Sequence, residues 1–181
     1  GFNPLESSKD AERQPYTSIP SESDHKKILI GIDHYKYLIN AIYNTEYKIV
    51  IMSGWLSRYV IDDSLLTILA FKLKQGIHIY IGYGFQDNRG NHAEFAGSKE
   101  VLKSLVLLTE EYPTQLLIAN FATHEKLLVI DEKIVVIGSA NWLSNRNYKN
   151  SERSIVITGQ NFAKSESNRA IKMIEKHRIS G

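Results

Sequence analysis

From about His25 onward, short apolar runs alternate with amphipathic stretches at helical spacing. That alternation fits strands and helices layered in an α/β domain and little else. Lys48 to Ser53 is a strongly apolar run that ends at Gly54, as a buried strand does, and Ile77 to Tyr83 repeats the pattern. Between them Leu65, Leu66, Ile68, Leu69 and Leu73 predict a helix begun at Asp62 or Asp63 and stopped by Gly76. Upstream, Ile28 to Ile30 predicts a short strand, and Tyr35, Leu38, Ile39 and Ile42 a helix. Downstream, Lys99 to Leu107 reads as a helix and Gln115 to Ala119 as a strand. Leu127 to Ile130 and Ile134 to Ile137 read as a hairpin turning at Asp131-Glu132-Lys133. Ser154 to Thr158 is a last strand, followed by a helix from Phe162 whose basic C-terminal end suits its dipole.

Two segments fall outside the alternation. Gly1 to Asp24 is polar and punctuated by Pro4, Pro15 and Pro20, so residues 1–24 read as an arm or linker and 25–181 as one domain. Phe85 to Gly97 is polar and holds Gly90 and Gly97, which predicts a long surface loop. A length of 181 residues with 43% hydrophobic content suffices for a single core.

Composition excludes several chemistries. Without cysteine there is no disulfide framework, zinc-thiolate site or cysteine nucleophile. No apolar run approaches the roughly 20 residues of a membrane span, so no stable membrane association is expected. The cytoplasm is the expected compartment, although a start at Gly1-Phe2 without Met is compatible with a removed leader or further domains. With 22 Lys and Arg against 20 Asp and Glu, the net charge of +2 says nothing about substrate, and any basic patch must be local. No His, Asp and Glu cluster has metal-ligand spacing, so neither a metal nor another cofactor is expected.

The residues that carry chemistry surround the hairpin. His124 and Lys126 are two apart at the start of a strand, so both leave the same face, one a nucleophile and the other a cation. Asp131 has the opposite parity and sits at the turn, which suits an orienting or charge-pairing role. Ser139 and Asn141 lie just beyond the second hairpin strand and offer a hydroxyl and an amide to phosphate oxygens. Glu152 enters the last strand and could accept a hydrogen bond from a histidine ring. Taken singly, a histidine beside a lysine is an ordinary strand edge and Gly138-Ser139-Ala140-Asn141 an ordinary turn; their joint spacing is what defeats that reading. A second His-x-Lys, at His25-Lys26-Lys27, lacks a following Gly-Ser-x-Asn and reads as a basic linker end.

The order His124-x-Lys126-x4-Asp131, then Gly138-Ser139-x-Asn141, then Glu152 resembles the signature of the phospholipase D superfamily, whose members break phosphodiester bonds. The resemblance extends from about His34 to the C-terminus as one repeat of that fold, and it implies a mixed sheet flanked by helices on both faces. It also implies a phosphohistidine mechanism that uses two motifs. One copy per chain therefore resembles the small members that form a homodimer around one composite site, with a symmetric interface expected here near Asn141 to Asn150 and the catalytic hairpins.

Local features lean toward nucleic acid as the substrate. Arg146, Tyr148 and Lys149, with Arg153, set cations and an aromatic beside the motif. Trp55, Phe85, Phe121 and Trp142 could line a cleft, and Arg89 and His92 could reach it from the long loop, though core packing and solvated loop are the ordinary accounts of such residues. The expectation is a metal-independent nuclease. A lipid phosphodiesterase, or a nucleic-acid-binding or dimerisation module of a larger protein, are the alternatives.

Overall fold

The computed structural model of the protein describes residues 26–85, 98–146 and 151–178. Its elements run β1 (Lys26–Ile30), α1 (Asp33–Asn44), β2 (Lys48–Ser53), α2 (Asp63–Lys74), β3 (His78–Tyr83), α3 (Ser98–Glu111), β4 (Leu116–Asn120), β5 (Leu127–Ile130), β6 (Ile134–Gly138), β7 (Arg153–Thr158) and α4 (Gln160–Lys176). The arm before Lys26 and the loop holding Arg89 and His92 lie outside the described residues, as do Tyr148 and Lys149.

The strands form one mixed sheet in the order β1-β7-β6-β5-β2-β3-β4. β2, β3 and β4 are parallel, as helical crossovers require, and β2, β5, β6, β7 and β1 pair antiparallel. Alternation along each strand splits the core in two. Ile49, Ile51, Leu128 and Ile130 face the layer of α1, α2 and α3, while Val50, Met52, Leu127 and Val129 face α4. Helices thus cover both faces, as the sequence led us to expect. The main contacts of α4 are with β2 through β6, and on its side of the sheet Ile28 (46% exposed), Ile30 (50%) and Ile137 (38%) are left open.

Lys26 and Lys27, read above as a linker end, are strand residues. They pair with Ile157 and Val156 at the sheet edge, where lysines guard against unwanted strand addition. Asp62 caps α2 by accepting from Leu65 N–H at 2.9 Å. His34, at the start of α1, is fully buried and joins Gly31 O through Nδ1 (2.8 Å) and Ser154 Oγ through Nε2 (2.9 Å), pinning the helix to β7.

The hairpin between β5 and β6 turns on Asp131 and Glu132, both with positive φ, and Lys133 N–H closes it on Ile130 O at 2.9 Å. Glu132 is held by Lys48 at 2.8 Å. Asp131 is 6% exposed, and its carboxylate accepts from the backbone N–H groups of Glu46 (2.9 Å), Tyr47 (2.9 Å) and Lys48 (3.1 Å). Its own backbone completes the joint, N–H to Lys48 O at 2.9 Å and carbonyl from Tyr47 Oη at 2.7 Å. Asp131, expected in an orienting or charge-pairing role, bonds backbone N–H groups rather than a cationic side chain, which corrects the charge-pairing alternative. It sits at the far end of β5 from His124 and is spent on riveting the hairpin to the start of β2.

Asp131→Ala strands three backbone donors and should cost roughly 3 kcal/mol of unfolding free energy. Asp131→Asn, which keeps one acceptor oxygen, should cost less. Urea denaturation of the two variants checks the ranking; equal stability with wild type would refute the rivet.

Candidate active site

Topology gathers the motif, Asp131 apart, at one end of the sheet. Because β5 runs antiparallel to β2, Leu127 pairs with Met52, and because β6 and β7 are antiparallel, Gly138 pairs with Ser154. The ends of β2, β3 and β6 and the starts of β5 and β7 thus lie side by side. They bring His124 to Lys126, Ser139 to Asn141, and Glu152 into one neighbourhood.

His124 and Lys126 precede β5 rather than lying in it. The Lys126 ammonium donates to His124 O at 2.9 Å and lies 3.1 Å from Nδ1 and 3.4 Å from Nε2 of the same residue. The His124 ring and the Lys126 ammonium are therefore in contact. Burial pushes the Lys126 pKa down, and the charge of Glu152 offsets this in part by favouring the ammonium. Glu152 was expected to accept from a histidine ring. The polar partner of the His124 ring is instead Lys126, and Glu152 acts on the lysine, while its backbone carbonyl accepts from Gly31 N–H at 3.1 Å.

Ser139 Oγ accepts from Arg153 N–H at 3.1 Å and so ties the end of β6 to β7. The close approach of those strands has no space for a side chain at Gly138, where a Cβ would overlap Arg153 O and Ser154. Asn141 Oδ1 accepts from Gly54 N–H at 3.1 Å, which leaves the Nδ2 end of its amide as the donor end. Both residues thus occupy the rim of the site, and each already holds a neighbouring strand end in place.

The aromatic residues divide. Phe85 packs on His124 (ring centroids 5.2 Å apart) and Trp55 packs on Phe85 (4.9 Å), a row leading away from the nucleophile across the ends of β3 and β2. Trp142 does not join it: at 1% exposure it lies in the core edge-on to His34, and it is corrected from a nucleic-acid contact to a packing residue. Phe121 is likewise buried, stacked on His177 at 5.0 Å. Arg146 is engaged by Asp62 at 3.1 Å and lies over the Tyr35 ring at 4.5 Å.

A groove of about 230 Å³ opens beside the motif, lined among others by His124, Glu125, Lys126, Ile137, Glu166 and Arg169. Sequence reasoning missed its acidic and basic members. The signal was there in part, since Glu125 shares the parity of Leu127 and must face α4. A larger cavity of about 320 Å³ lies at the opposite end of the sheet, between α1 and the hairpin turn. It holds Asp131, already spent on backbone, and the Glu46 and Lys133 pair, and it offers no nucleophile. Among the described residues no group of three or more His, Asp and Glu side chains is placed to hold a metal ion, and no helix is long and apolar enough to cross a membrane.

This fold and site define a phosphodiesterase-type domain. A family model described as "Cardiolipin synthase, PLD-like domain" matches residues 38–174. The chain belongs to the phospholipase D superfamily. Among solved structures it is similar to Nuc, a phospholipase D family member from Salmonella typhimurium, with TM-score 0.59 and 17% identity over 86% of this chain and 97% of that one. NucT from Helicobacter pylori gives 0.60 and 17% over 87% and 99%. Phosphatidylserine synthase from Haemophilus influenzae gives 0.58 and 16% over 86% of this chain but 39% of that one. These likenesses concern the fold. No curated protein sequence matches the chain.

Because Glu152 favours the charged lysine, Glu152→Gln should lower the Lys126 pKa further, so that the ammonium is lost at lower pH than in wild type. An NMR titration of the lysine side chains reads this directly. An unmoved or raised Lys126 midpoint would show that Glu152 does not act on it.

Proposed function

We propose that the protein is a metal-independent phosphodiesterase that cuts nucleic acid at a site shared by two copies of the chain. The observation that carries the reading is the contact between Lys126 Nζ and the His124 ring, 3.1 Å from Nδ1, at the rim where Ser139 and Asn141 also lie. Breaking a phosphodiester needs a nucleophile, an acid for the departing oxygen, and positive charge around the phosphoryl group. One chain supplies the first and the last of these. In the proposed reaction, His124 attacks phosphorus and the bond to the leaving alcohol breaks. The second copy's His124 gives that alcohol its proton. Water then attacks the phosphohistidine, the N–P bond breaks, and the second histidine takes up the water's proton. Lys126, Ser139 and Asn141 of both copies hold the non-bridging oxygens.

The Trp55 and Phe85 rings beside His124 support a nucleic-acid substrate, because bases stack on such surfaces irrespective of sequence. Nuc and NucT, to which the chain is similar over nearly their whole lengths, add weight to this choice. The open isoleucine row supports the second copy. Ile28 pairs in register with Ile155 and Ile155 with Ile137, so an apolar strip runs from the sheet edge to the catalytic groove. The same strip favours the competing reading, a lipid substrate, by offering a surface for acyl chains.

Wild type should cut labelled DNA or RNA in excess EDTA, and His124→Ala should lower turnover by about 1,000-fold or more while remaining folded. Release of a head group from phospholipid vesicles, with no cut nucleic acid, would transfer the assignment to lipid. The double variant Ile28→Asp/Ile155→Asp should sediment as a monomer and lose turnover. A variant that is monomeric and fully active would refute the shared site.

A further inference from the structure

The His-x-Lys tripeptide is held by very little backbone. Phe121 N–H bonds Tyr83 O (2.9 Å) and Thr123 N–H bonds Gly84 O (3.0 Å), and the β5 ladder begins only at Leu127. Between those anchors Glu125 N–H reaches the Thr123 hydroxyl at 3.2 Å, a bond within the segment itself, and Lys126 bonds back onto His124. Beyond the packing of Phe85 on the His124 ring, what ties the tripeptide to the body of the protein is the Glu125 side chain. The Glu125 carboxylate meets the Arg169 guanidinium as a two-pronged fork, Oε1 to Nη1 at 3.0 Å and Oε2 to Nη2 at 2.7 Å.

Arg169 is itself fixed. It stands on α4 next to Ala170, which is fully buried. Glu166 accepts from its Nη2 at 2.8 Å and Nε at 3.3 Å, and Met173 Sδ lies 3.7 Å from Nη1. Two carboxylates claim this guanidinium, so it is poorly placed to serve as a phosphate ligand. Its planar fork, which a lysine could not reproduce, sets where Glu125 must sit. With Glu125 fixed, the flanking His124 and Lys126 are fixed on the opposite side.

We infer that Arg169, acting through Glu125, is a positioning residue that sets the orientation of His124 against Lys126 for phosphoryl transfer. This rests on the reaction proposed above. Misplacing a reacting group by about 1 Å can cost as much as 100-fold in rate. The effect should therefore fall on kcat.

The test uses Glu125→Leu and Arg169→Leu in the full chain, read by steady-state kinetics, by sedimentation, and by the imidazole resonances of 13C-labelled His124, assigned through His124→Ala. In Glu125→Leu, Arg169 and Glu166 remain paired and no new negative charge faces the substrate. We expect kcat to fall about 10- to 100-fold with KM within about twofold of wild type, and the His124 resonance to shift or broaden. Glu125→Gln, which still accepts from Arg169, should recover much of kcat. Arg169→Lys, which keeps the charge without the fork, should fall between Arg169→Leu and wild type. Wild-type kcat and an unmoved His124 resonance in Glu125→Leu overturn the inference, and so does a loss of kcat that follows only from unfolding or from separation of the two copies. If wild type cleaves no diester at all, the resonance decides alone: a shift upholds the positioning role and its absence rejects it, while the reaction assigned to the site falls in either case.

Discussion

The joint between Asp131 and the first residues of β2 is the constraint on which the site depends. Three backbone donors converge on one carboxylate at the far end of β5 and fix the pairing that places Leu127 opposite Met52. A slip of one residue would carry Leu128 and Ile130 from one core to the other, and would turn His124 and Lys126 to the α4 side in place of Glu125. The aspartate of the motif thus acts on the candidate site without touching it. It holds the register at one end of a four-residue strand so that the other end presents the right face.

At the working end the forces are electrostatic and closely opposed. Lys126 is desolvated enough to weaken its own charge, and Glu152 supplies part of what burial removes. An arriving phosphodiester would supply the rest, since an anion beside a half-buried ammonium favours the charged form as Glu152 does.

Most of the fold was legible in the sequence because apolar period and punctuation agree. Ser53-Gly54 ends β2, Asp62 opens α2 and Gly76 follows it. The mismatches have local reasons. α3 continues to Glu111, past the expected Leu107, because after Leu108 its last turn is polar and carries no further apolar mark, and it stops short of Pro113. β1 takes in two lysines that an edge strand tolerates. In the site, spacing found His124 and Lys126 together, but it could not show that Asp131 would be consumed by β2 or that Trp142 would turn inward against His34. Nor could it pair Arg169 with Glu125 across 44 residues. Such contacts depend on which helix lands over which strand, and nothing local encodes that.

The composite site proposed above carries an electrostatic cost of its own. Bringing two Lys126 ammonium groups toward one phosphate sets like charges facing each other, a cost that grows as water is excluded. Each copy carries its own remedy, since Glu152 lies within electrostatic reach of its lysine and the Arg169 cluster adds two carboxylates to one guanidinium along the same groove. A half-site built this way carries one excess negative charge on the Glu166 side, and on the other side Lys126 is matched by Glu152. In the dimer proposed above, two such halves would approach through the apolar isoleucine strip with each Lys126 compensated by its own Glu152, so that the two ammonium groups could come near one phosphate.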